Sequence, residues 1–383
     1  MSAPVAVSLD VTAIPVAAAG AGQYALEIAR ALDRRDDVSI TLLTRKGDAE
    51  RWRDRAPNAS VVACAPGPRP LRIAWEQVGL PGRLRRLPVV VHHGLHYTMP
   101  ERSRLPVVVT VHDCTYFDHP EWHQPAKVRF FRRAILVAAR RAAVVLCPSD
   151  ATAERFTELC HPSAPVVVAP HGIDHDRFGV TEPAPGSDAA ALAQLGIGPD
   201  APLVVFVGTV EPRKGVASLI SAFDRAAGAH RDAVLVLAGQ HGWGHELDAL
   251  ATARHRDRIL VTGYVPTGTV PALLRRARAV AYPSLDEGFG LPALEALACG
   301  APLVTTTGTP MAGLAGDAAL LVAPGDVDAL AGALDALLAG DPLLAARREK
   351  GRARVTGLTW EHSAKLHVAA YEMAVEGGGL VKM

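Results

Sequence analysis

Short apolar runs alternate along this chain with longer stretches in which apolar and polar residues recur at helical spacing. The short runs are typical of strands buried on both faces, and the longer stretches are typical of amphipathic helices. The alternation therefore predicts a parallel sheet with helices on both faces. The first group of predicted strands comprises residues 5–9, 39–43, 61–63, 89–92, 107–111, 144–147 and 166–169.

The pattern is interrupted at residues 174–202, where proline, glycine, alanine and aspartate are frequent and no strand is predicted. We place a linker near 172–187 and a short helix at 188–195. The alternation then resumes, and the second group of predicted strands comprises residues 203–207, 234–238, 259–261, 279–282, 303–305 and 319–322. The chain is therefore predicted to form two doubly wound α/β domains with ligand sites at the carboxyl ends of their strands, facing one another across a cleft.

The predicted domains cover residues 1–180 and 188–361. A last helix, at about 362–383, is too far along the chain to be needed by the second sheet, so we expect it to pack back on the first domain. Two domains also agree with a length of 383 residues, because single cores rarely grow beyond about 250–300 residues.

Composition argues against several classes of protein. The formal net charge is +1, so no overall field favours nucleic acid. The five cysteines are scattered without a Cys-x-x-Cys pair, which favours reduced thiols over disulfides or a zinc site. We find no signal-peptide pattern and no apolar run that approaches the ~18–20 residues needed to cross a bilayer. We therefore expect a cytoplasmic protein.

Two glutamates eight residues apart, Glu287 and Glu295, flank the sequence Gly-Phe-Gly-Leu-Pro. The residues before it predict a buried strand, and those after it a helix with Pro292 at the first position. The N–H groups and the positive dipole end of a helix N-terminus suit a phosphate. A carboxylate on each side suits hydroxyl groups, so the motif predicts a sugar on one side and a ribose on the other.

A second loop follows the predicted strand 203–207 and carries Arg213 and Lys214 between two glycines. Arginine can bind two phosphate oxygens at once, and lysine adds a point charge. Basic residues in a loop are commonly only solvated. Because this loop and the loop of Glu287 belong to the same half of the chain, we expect the two cations to converge on the phosphate.

In the first domain, Gly20 and Gly22 lie in a sequence similar to a dinucleotide-binding fingerprint. Gly20 comes eleven positions after Leu9, however, and the second strand is not followed by an acidic residue, so the context of that fingerprint is missing. We predict instead a small-residue loop that lets a donor phosphate or an acceptor approach the backbone. His112 follows a strand, where ligands bind in such sheets; the alternative is a histidine that caps the strand end in a polar cluster.

Two further clusters are less specific. His92, His93 and His96 could suggest a metal, but no acidic residue or fixed spacing completes a ligand set, so we predict a cleft-lining loop and no metal. Two groups of arginines suit an anionic membrane or a lipid-linked acceptor, although a solvated helix face explains them too. The groups are Arg83, Arg85 and Arg86, and Arg129, Arg132, Arg133, Arg140 and Arg141.

The order of four motifs resembles that of the family-4 retaining glycosyltransferases of GT-B fold. The motifs are His112-Asp113, Arg213-Lys214, Gly263-Tyr264 and Glu287-Gly-Phe-Gly-Leu-Pro-x-x-Glu295. Further stretches are typical of the subgroup that includes bacterial O-antigen and polysaccharide mannosyltransferases, and the resemblance covers nearly the whole chain. These stretches are Trp75-Glu76-Gln77, Leu80-Pro81, Asp118-His-Pro, Pro148-Ser149, Pro170-His-Gly-Ile-Asp174 and Gly316-Asp317-Ala318.

The resemblance implies how the donor is held. Glu287 would bind hydroxyls of the donor sugar, helped by the backbone amides of Gly288, Phe289 and Gly290. The amides of Gly290 and Leu291 would bind the phosphate.

The resemblance also implies the catalytic groups. Arg213 and Lys214 would neutralise the diphosphate leaving group, and His112 would contact the donor sugar from the other domain. Glu295 would bind the ribose, and Tyr264 and Val265 would lie beside the nucleobase. The remaining donor-binding positions, from the loops described above, are Gly20, Gly22 and Gly208.

Two positions depart from the family pattern. Thr209 stands where many relatives have arginine, which leaves the phosphate to Arg213 and Lys214. Residues 311–313 read Met-Ala-Gly where relatives often have Leu-Pro-Glu, and this difference concerns donor specificity rather than activity.

The implied reaction transfers a hexose to a glycan, lipid-linked or small-molecule acceptor. GDP-mannose is the first choice of donor, followed by UDP-glucose or UDP-N-acetylglucosamine. No carboxylate stands out as a nucleophile, so the hypothesis is attack on the face that the phosphate leaves, without a metal. A nucleotide-sugar epimerase or a phosphorylase on the same fold is the alternative; a binding-only relative is disfavoured by the intact motif residues.

Overall fold

A computed structural model of the protein describes residues 3–379 apart from 17, 19 and 267. Contacts divide the chain into two units. The first unit comprises the chain up to Gly172 and again from Trp360, and the second comprises Ile173–Thr359. Each unit contains one parallel sheet, so the predicted pair of doubly wound α/β domains is confirmed.

The boundary between the units lies at the start of the predicted linker. Ile173 and Phe178 are 4% and 3% exposed and belong to the core of the second unit. Residues 173–180, which the sequence assigns to the first domain, therefore belong to the second unit, because Ile173 and Phe178 are buried in its core.

The sheet of the first unit has seven strands in the order β3-β2-β1-β4-β5-β6-β7, with every neighbouring pair parallel. The strands are β1 Val5–Asp10, β2 Val38–Arg45, β3 Ser60–Ala65, β4 Val91–Gly94, β5 Val107–Thr110, β6 Val144–Cys147 and β7 Val166–Val168. The chain moves outward from β1 to β3 and then returns to β4 on the other side. The β1–β4 pair is therefore the point at which the strand order reverses.

Nine helices accompany this sheet in the described part of the first unit, counting one short 3₁₀ helix. They are α1 Ala21–Asp33, α2 Ala49–Arg55, α3 Arg69–Val78, α4 Leu80–Leu84, α5 Thr115–Asp118, the 3₁₀ helix Pro120–Trp122, α6 Pro125–Arg141, α7 Asp150–Cys160 and, at the end of the chain, α15 Trp360–Gly379. Local sequence explains several starts. Proline occupies the first position of α6, and the Ser149 hydroxyl accepts a hydrogen bond from Thr152 N (3.2 Å) at the start of α7.

The sheet of the second unit has six strands in the order β10-β9-β8-β11-β12-β13, again all parallel. The strands are β8 Leu203–Val207, β9 Val234–Ala238, β10 Ile259–Gly263, β11 Ala277–Tyr282, β12 Leu303–Thr306 and β13 Ala319–Val322. The longer helices are α8 Ser187–Ala193, α9 Val216–Ala226, α10 Thr269–Arg276, α11 Leu291–Ala298, α12 Pro310–Ala315, α13 Val327–Ala339 and α14 Leu344–Val355. Here the order reverses at the β8–β11 pair.

Helix α15 packs on the first unit against α1 and the strands β1, β4, β5 and β6. A buried chain of hydrogen bonds fixes it there. His367 Nδ1 lies 2.7 Å from Ser363 O, and because a carbonyl can only accept, Nδ1 carries the proton. The Nε2 of His367 must then accept the proton of the Tyr24 hydroxyl, at 2.8 Å. Residues 380–383 of the predicted last helix lie outside the described residues.

The same reasoning gives the direction of the remaining bonds. Because Tyr24 donates to His367, its oxygen accepts from Thr110 Oγ1 at 2.9 Å. Thr110 Oγ1 in turn accepts from His93 Nε2 at 2.8 Å, and His93 Nδ1 accepts from the Tyr371 hydroxyl at 2.8 Å. Every member of the chain is buried, and both histidines are neutral in this arrangement.

The arginines of α6 are partly engaged within the protein. Arg132 Nε donates to Tyr116 O (2.6 Å), and Arg133 Nη1 pairs with Glu101 Oε1 (2.6 Å). Among the described residues, no single helix has both the length and the apolar character to cross a membrane. The pair α13 and α14 passes such a test only when the two are taken together, and they are bent by 106°.

Candidate active site

The predicted donor-binding residues gather at the switch point of the second sheet. The loop after β8 carries Gly208 and Arg213, and the loop after β11 carries Glu287. Because β8 and β11 are neighbours whose following connections run in opposite directions, a crevice forms between their two loops at the carboxyl edge of the sheet.

Backbone contacts fix the two loops to each other. Leu285 N donates to Arg213 O at 2.7 Å. Gly215 has φ +64°, and a Cβ at this position would lie 2.2 Å from Pro283 O. Only glycine permits both this conformation and this close approach. The loop that carries the two cations is therefore held directly against the loop that carries Glu287.

Glu287 is the centre of an ion-paired cluster. Its side chain is 8% exposed, Oε2 accepts from Arg213 Nη1 at 2.7 Å, and Oε1 accepts from Lys214 Nζ and, at 3.0 Å, from Ser284 Oγ. Burial opposes ionisation of the carboxyl group, but the charges of Arg213 and Lys214 outweigh it and lower the pKa of Glu287 to about 2. The carboxylate is therefore ionised at neutral pH.

Charges within the cluster balance. Arg213 uses its Nε to pair with Glu211 Oε1 at 2.6 Å, so two cations face two carboxylates. The sequence predicts the cations beside a phosphate and Glu287 beside a sugar; in this structure both cations bind Glu287. A diphosphate that enters the crevice must therefore compete with Glu287 for Arg213 and Lys214.

The loop of Glu287 ends in the N-terminus of α11. Gly290 has φ +99°, and a Cβ there would lie 2.2 Å from Met311 Cγ, so the turn requires glycine. The helix begins at Leu291. Pro292 therefore occupies the second helical position, whereas the sequence predicts it at the first. The first N–H groups of a helix have no carbonyl partner within it, although here Ala293 N donates to Gly290 O at 2.9 Å. Gly288 is buried, whereas Phe289 is partly buried and packs against the core.

The predicted ribose and base positions lie further along the same sheet edge. Glu295 is partly buried in the second turn of α11, and its charge is one cause, after burial, of the raised pKa of Tyr282. Tyr264 and Val265 follow β10, the edge strand, where the Tyr264 side chain is 58% exposed and Val265 is 6% exposed. An exposed aromatic ring at this edge offers a face on which a base can stack.

The first unit holds the other predicted residues. His112 follows β5 and is 8% exposed, with Nε2 donating to Leu95 O at 2.9 Å and the ring packed edge-on against Tyr24 and Tyr97. Burial lowers the pKa of His112, so the ring is neutral. Gly20 and Gly22 lie at the start of α1, Gly20 exposed with φ +52° and Gly22 buried.

His92 and His93 do not form the cleft-lining loop that the sequence predicts. His92 and His93 belong to strand β4 and are fully buried, so they face the core and do not line a loop. His92 Nδ1 pairs with Ser8 Oγ at 2.9 Å, and His93 joins the hydrogen bonds that hold α15. Of these three histidines, His96, two residues after the end of β4, lines a cavity. Within the described ranges, no group of three or more metal-ligating side chains is placed to hold a metal ion.

The first unit also contains a polar cavity that the sequence pattern does not predict. It is lined by Asp10, Arg72 and Glu76 among others and lies at the ends of β1 and β4. Two signals in the sequence point to it: Asp10 is a charged residue directly after an apolar strand, and Glu76 is a charged residue in the Trp-Glu-Gln stretch.

Two family models match this chain in succession. The model described as Glycosyltransferase Family 4 matches residues 18–177, and the model described as Glycosyl transferases group 1 matches residues 188–354. The two matches thus cover most of the first unit and most of the second.

Individual proteins are similar over most of their length. O-antigen chain mannosyltransferase B of Escherichia coli is 29% identical over 310 residues, which cover 79% of this chain and 78% of that protein. A D-inositol 3-phosphate glycosyltransferase of Kribbella flavida is 33% identical over 299 residues, covering 72% and 68%. Among solved structures, sucrose-phosphate synthase from Thermosynechococcus elongatus matches with a TM-score of 0.79 and 21% identity over 96% of this chain and 98% of that one. This last similarity concerns the fold alone.

Proposed function

This chain belongs to glycosyltransferase family 4 and has the GT-B fold; it transfers a sugar from a nucleotide-sugar donor, and we propose that the sugar is a hexose transferred with retention of its anomeric configuration. The observation that carries the proposal is the cluster of Glu287, Arg213 and Lys214 beside the N-terminus of α11. This cluster combines cations for a diphosphate with a carboxylate for sugar hydroxyls.

The roles follow from charge. As the bond from the anomeric carbon to the diphosphate oxygen breaks, negative charge grows on the phosphate, and Arg213, Lys214 and the N–H groups of Gly290 and Leu291 stabilise it. Glu287, released in part from its cations, accepts hydrogen bonds from sugar hydroxyls. The acceptor hydroxyl forms the new bond on the face that the phosphate leaves, and its proton passes to the departing phosphate oxygen. Glu295 binds the ribose hydroxyls.

Mannose from GDP-mannose is our first choice of donor. The similarity to an O-antigen mannosyltransferase supports it, whereas the higher identity to a glycosyltransferase named for D-inositol 3-phosphate supports a different acceptor. UDP-glucose and UDP-N-acetylglucosamine are the alternatives, and the acceptor is a glycan, a lipid-linked acceptor or a small molecule. We propose that the enzyme works in the cytoplasm, where nucleotide sugars are made, with the exposed Arg129 and Arg140 of α6 available for contact with the inner face of a membrane.

Thermal unfolding with a panel of nucleotide sugars identifies the donor. A ligand that binds only the folded state raises the unfolding temperature, so the true donor and its nucleoside diphosphate should stabilise the protein more than the others. Proton NMR of the product then reports the anomeric configuration. Inverted product would refute retention, and conversion of the donor without an acceptor would favour the alternative of a nucleotide-sugar epimerase; release of a sugar phosphate with inorganic phosphate would indicate a phosphorylase.

The substitution Glu287→Gln separates the sugar-binding role of Glu287 from the phosphate-binding role of Arg213 and Lys214. The variant keeps a hydrogen-bonding side chain but releases Arg213 and Lys214 from their carboxylate. We expect turnover to fall by roughly two orders of magnitude or more, while the nucleoside diphosphate binds at least as tightly as before. Arg213→Gln should weaken binding of the diphosphate instead. Equal loss of diphosphate affinity in both variants would contradict the assigned roles.

A further inference from the structure

The first unit contains a cavity of about 350 Å³ at the switch point of its sheet. Asp10 ends β1 and Gly94 ends β4, and both line the cavity. Helix α3 contributes a second wall, and α6 a third. The cavity thus occupies, in the first sheet, the position at which the second sheet carries the proposed donor site.

Two carboxyl groups lie on the floor of this cavity. Asp10 accepts from Thr12 N at 2.9 Å, and Glu76, only 7% exposed, hydrogen-bonds with Thr98. Burial raises the pKa of Asp10, and burial together with the neighbouring Asp10 raises the pKa of Glu76 to about 8. Glu76 is therefore mostly protonated at neutral pH, and its hydroxyl can donate a hydrogen bond.

Positive charge exceeds negative charge in the lining. Arg69, Arg72 and Lys127 face the cavity. In the part of the chain that the structure describes, neither Arg69 nor Arg72 forms an ion pair within 4 Å. Burial lowers the pKa of Arg72, and the charge of the nearby Asp10 offsets part of this effect. Two guanidinium groups that line one concave site, with no ion pair within 4 Å among the described residues, can bind an anion.

The remaining wall is aromatic. Tyr116, Phe130 and Phe131 line the side formed by α5 and α6, with the rings of Tyr116 and Phe131 stacked at 4.5 Å between centroids. A concave site with an apolar wall and a few convergent polar groups is typical of a small-molecule site. The polar groups here are suited to two kinds of ligand atom: carboxyl groups for hydroxyls, and guanidinium groups for an anion.

We propose that this cavity binds the acceptor, and that the acceptor is a sugar or polyol that carries a phosphoryl group beside its hydroxyls. Arg69 and Arg72 bind the phosphoryl oxygens, whereas Asp10 and Glu76 bind hydroxyl groups. The role as acceptor rests on the proposed transfer reaction. The cavity lies in the first unit, so its binding of ligands is tested apart from the donor site.

Binding is measured on the full chain, with the donor site filled by a saturating nucleoside diphosphate. The soluble probes are hexose 1-phosphate, hexose 6-phosphate, inositol monophosphate, inorganic phosphate and an uncharged methyl hexoside. A hexosyl prenyl diphosphate in vesicles of neutral phospholipid tests the lipid-linked source of the same chemistry. Saturation-transfer NMR for the soluble probes and sedimentation for the vesicles report binding. We expect a phosphorylated sugar or polyol, soluble or lipid-linked, to bind at least tenfold more tightly than the methyl hexoside.

Arg72→Gln should reduce that affinity at least tenfold, while Arg72→Lys keeps part of it. Arg53→Gln, an exposed arginine on α2, is the matched control and should change nothing. Circular dichroism shows whether each variant is folded, and the Lys variant keeps the test valid if Gln unfolds the unit. The inference is overturned if no phosphorylated probe binds, or if Arg72→Gln and Arg53→Gln behave alike. Failure of every nucleotide to bind would instead refute the proposed function.

Discussion

Gly290 shows how a single residue shapes the donor loop. Its φ of +99° and the 2.2 Å approach of a hypothetical Cβ to Met311 Cγ are two separate obstacles to a side chain. Gly290→Ala should therefore displace the N–H groups at the start of α11 and lower affinity for the nucleoside diphosphate about tenfold or more. Calorimetric titration with the diphosphate measures this.

A second substitution separates the two obstacles. Met311→Ala removes the clashing side chain but leaves the backbone strain, so Gly290→Ala combined with Met311→Ala should recover only part of the affinity. Gly313→Ala, where a Cβ meets nothing within 4 Å, is the control. Full affinity in Gly290→Ala alone would show that the helix N-terminus does not hold the phosphate.

Glu76 offers a prediction about pH at the same scale. Its pKa is raised to about 8 by burial and by Asp10, with Glu101 adding to the rise and Thr98 and Arg72 opposing it. Between pH 4.5, the ordinary value, and about 8, the folded state holds a proton that the unfolded state releases, so stability falls as pH rises through this window.

Glu76→Gln removes that dependence, because an amide does not titrate. We expect the variant to match the wild type in free energy of unfolding at pH 4.5 and to exceed it by a few kcal/mol, as an order of magnitude, at pH 8. Urea unfolding at the two pH values measures the difference. Glu50→Gln, on the exposed face of α2, is the control. An equal effect of Glu76→Gln at both pH values would exclude a raised pKa.

At the scale of elements, α15 depends on its buried hydrogen bonds. Tyr371→Phe removes the donor to His93 Nδ1 and leaves this acceptor buried without a partner from α15. Such a loss costs about 1–3 kcal/mol, so the free energy of unfolding of the first unit should fall by that amount. Met373→Ala, 42% exposed on the same helix, should change it by less than about 0.5 kcal/mol. Similar values for the two variants would show that packing alone holds α15.

Strands were more predictable than helices and side-chain partners. Many of the strands are short apolar runs, so a strand such as residues 203–207 can be recognised in the sequence, and its observed bounds are Leu203–Val207. Helix α3 was not predicted between a proline-rich stretch and a glycine, and only Glu76 of its residues is buried, so it contributes almost no apolar core side chain. The ion pair of Glu287 with Arg213 and Lys214 joins residues more than seventy positions apart. Spacing along the chain can place such residues in one crevice but cannot show which of them bind each other.

At the scale of the molecule, the two units differ in their buried histidines. His92, His93, His112, His171 and His367 are all buried in the first unit, whereas no described histidine of the second unit is buried. Burial lowers the pKa of each, to about 3 for His92 and about 4 for His367. Each therefore stays neutral in the folded unit at a pH where it would be charged in the unfolded chain.

This asymmetry predicts that acid unfolds the first unit before the second. Below pH 6.5 the unfolded state binds protons that the folded state does not, and each histidine lowers stability by up to about 1.4 kcal/mol per pH unit. Several such residues act together, against a typical total of about 5–15 kcal/mol. The corresponding group of the second unit, Glu287, has a lowered pKa of about 2 and loses its contribution only as pH falls below 4.5.

Tryptophan fluorescence follows the first unit, because Trp52, Trp75, Trp122 and Trp360 belong to it and only Trp243 to the second. Hydrogen exchange of β8 to β13 follows the second unit. We expect the fluorescence transition at a higher pH than the loss of protection in β8 to β13. His92→Asn should reduce the slope of stability against pH by about one proton, whereas His245→Asn, exposed in the second unit, should leave it unchanged. A single transition common to both probes would mean that the units unfold together, and the buried histidines would then not decide the order.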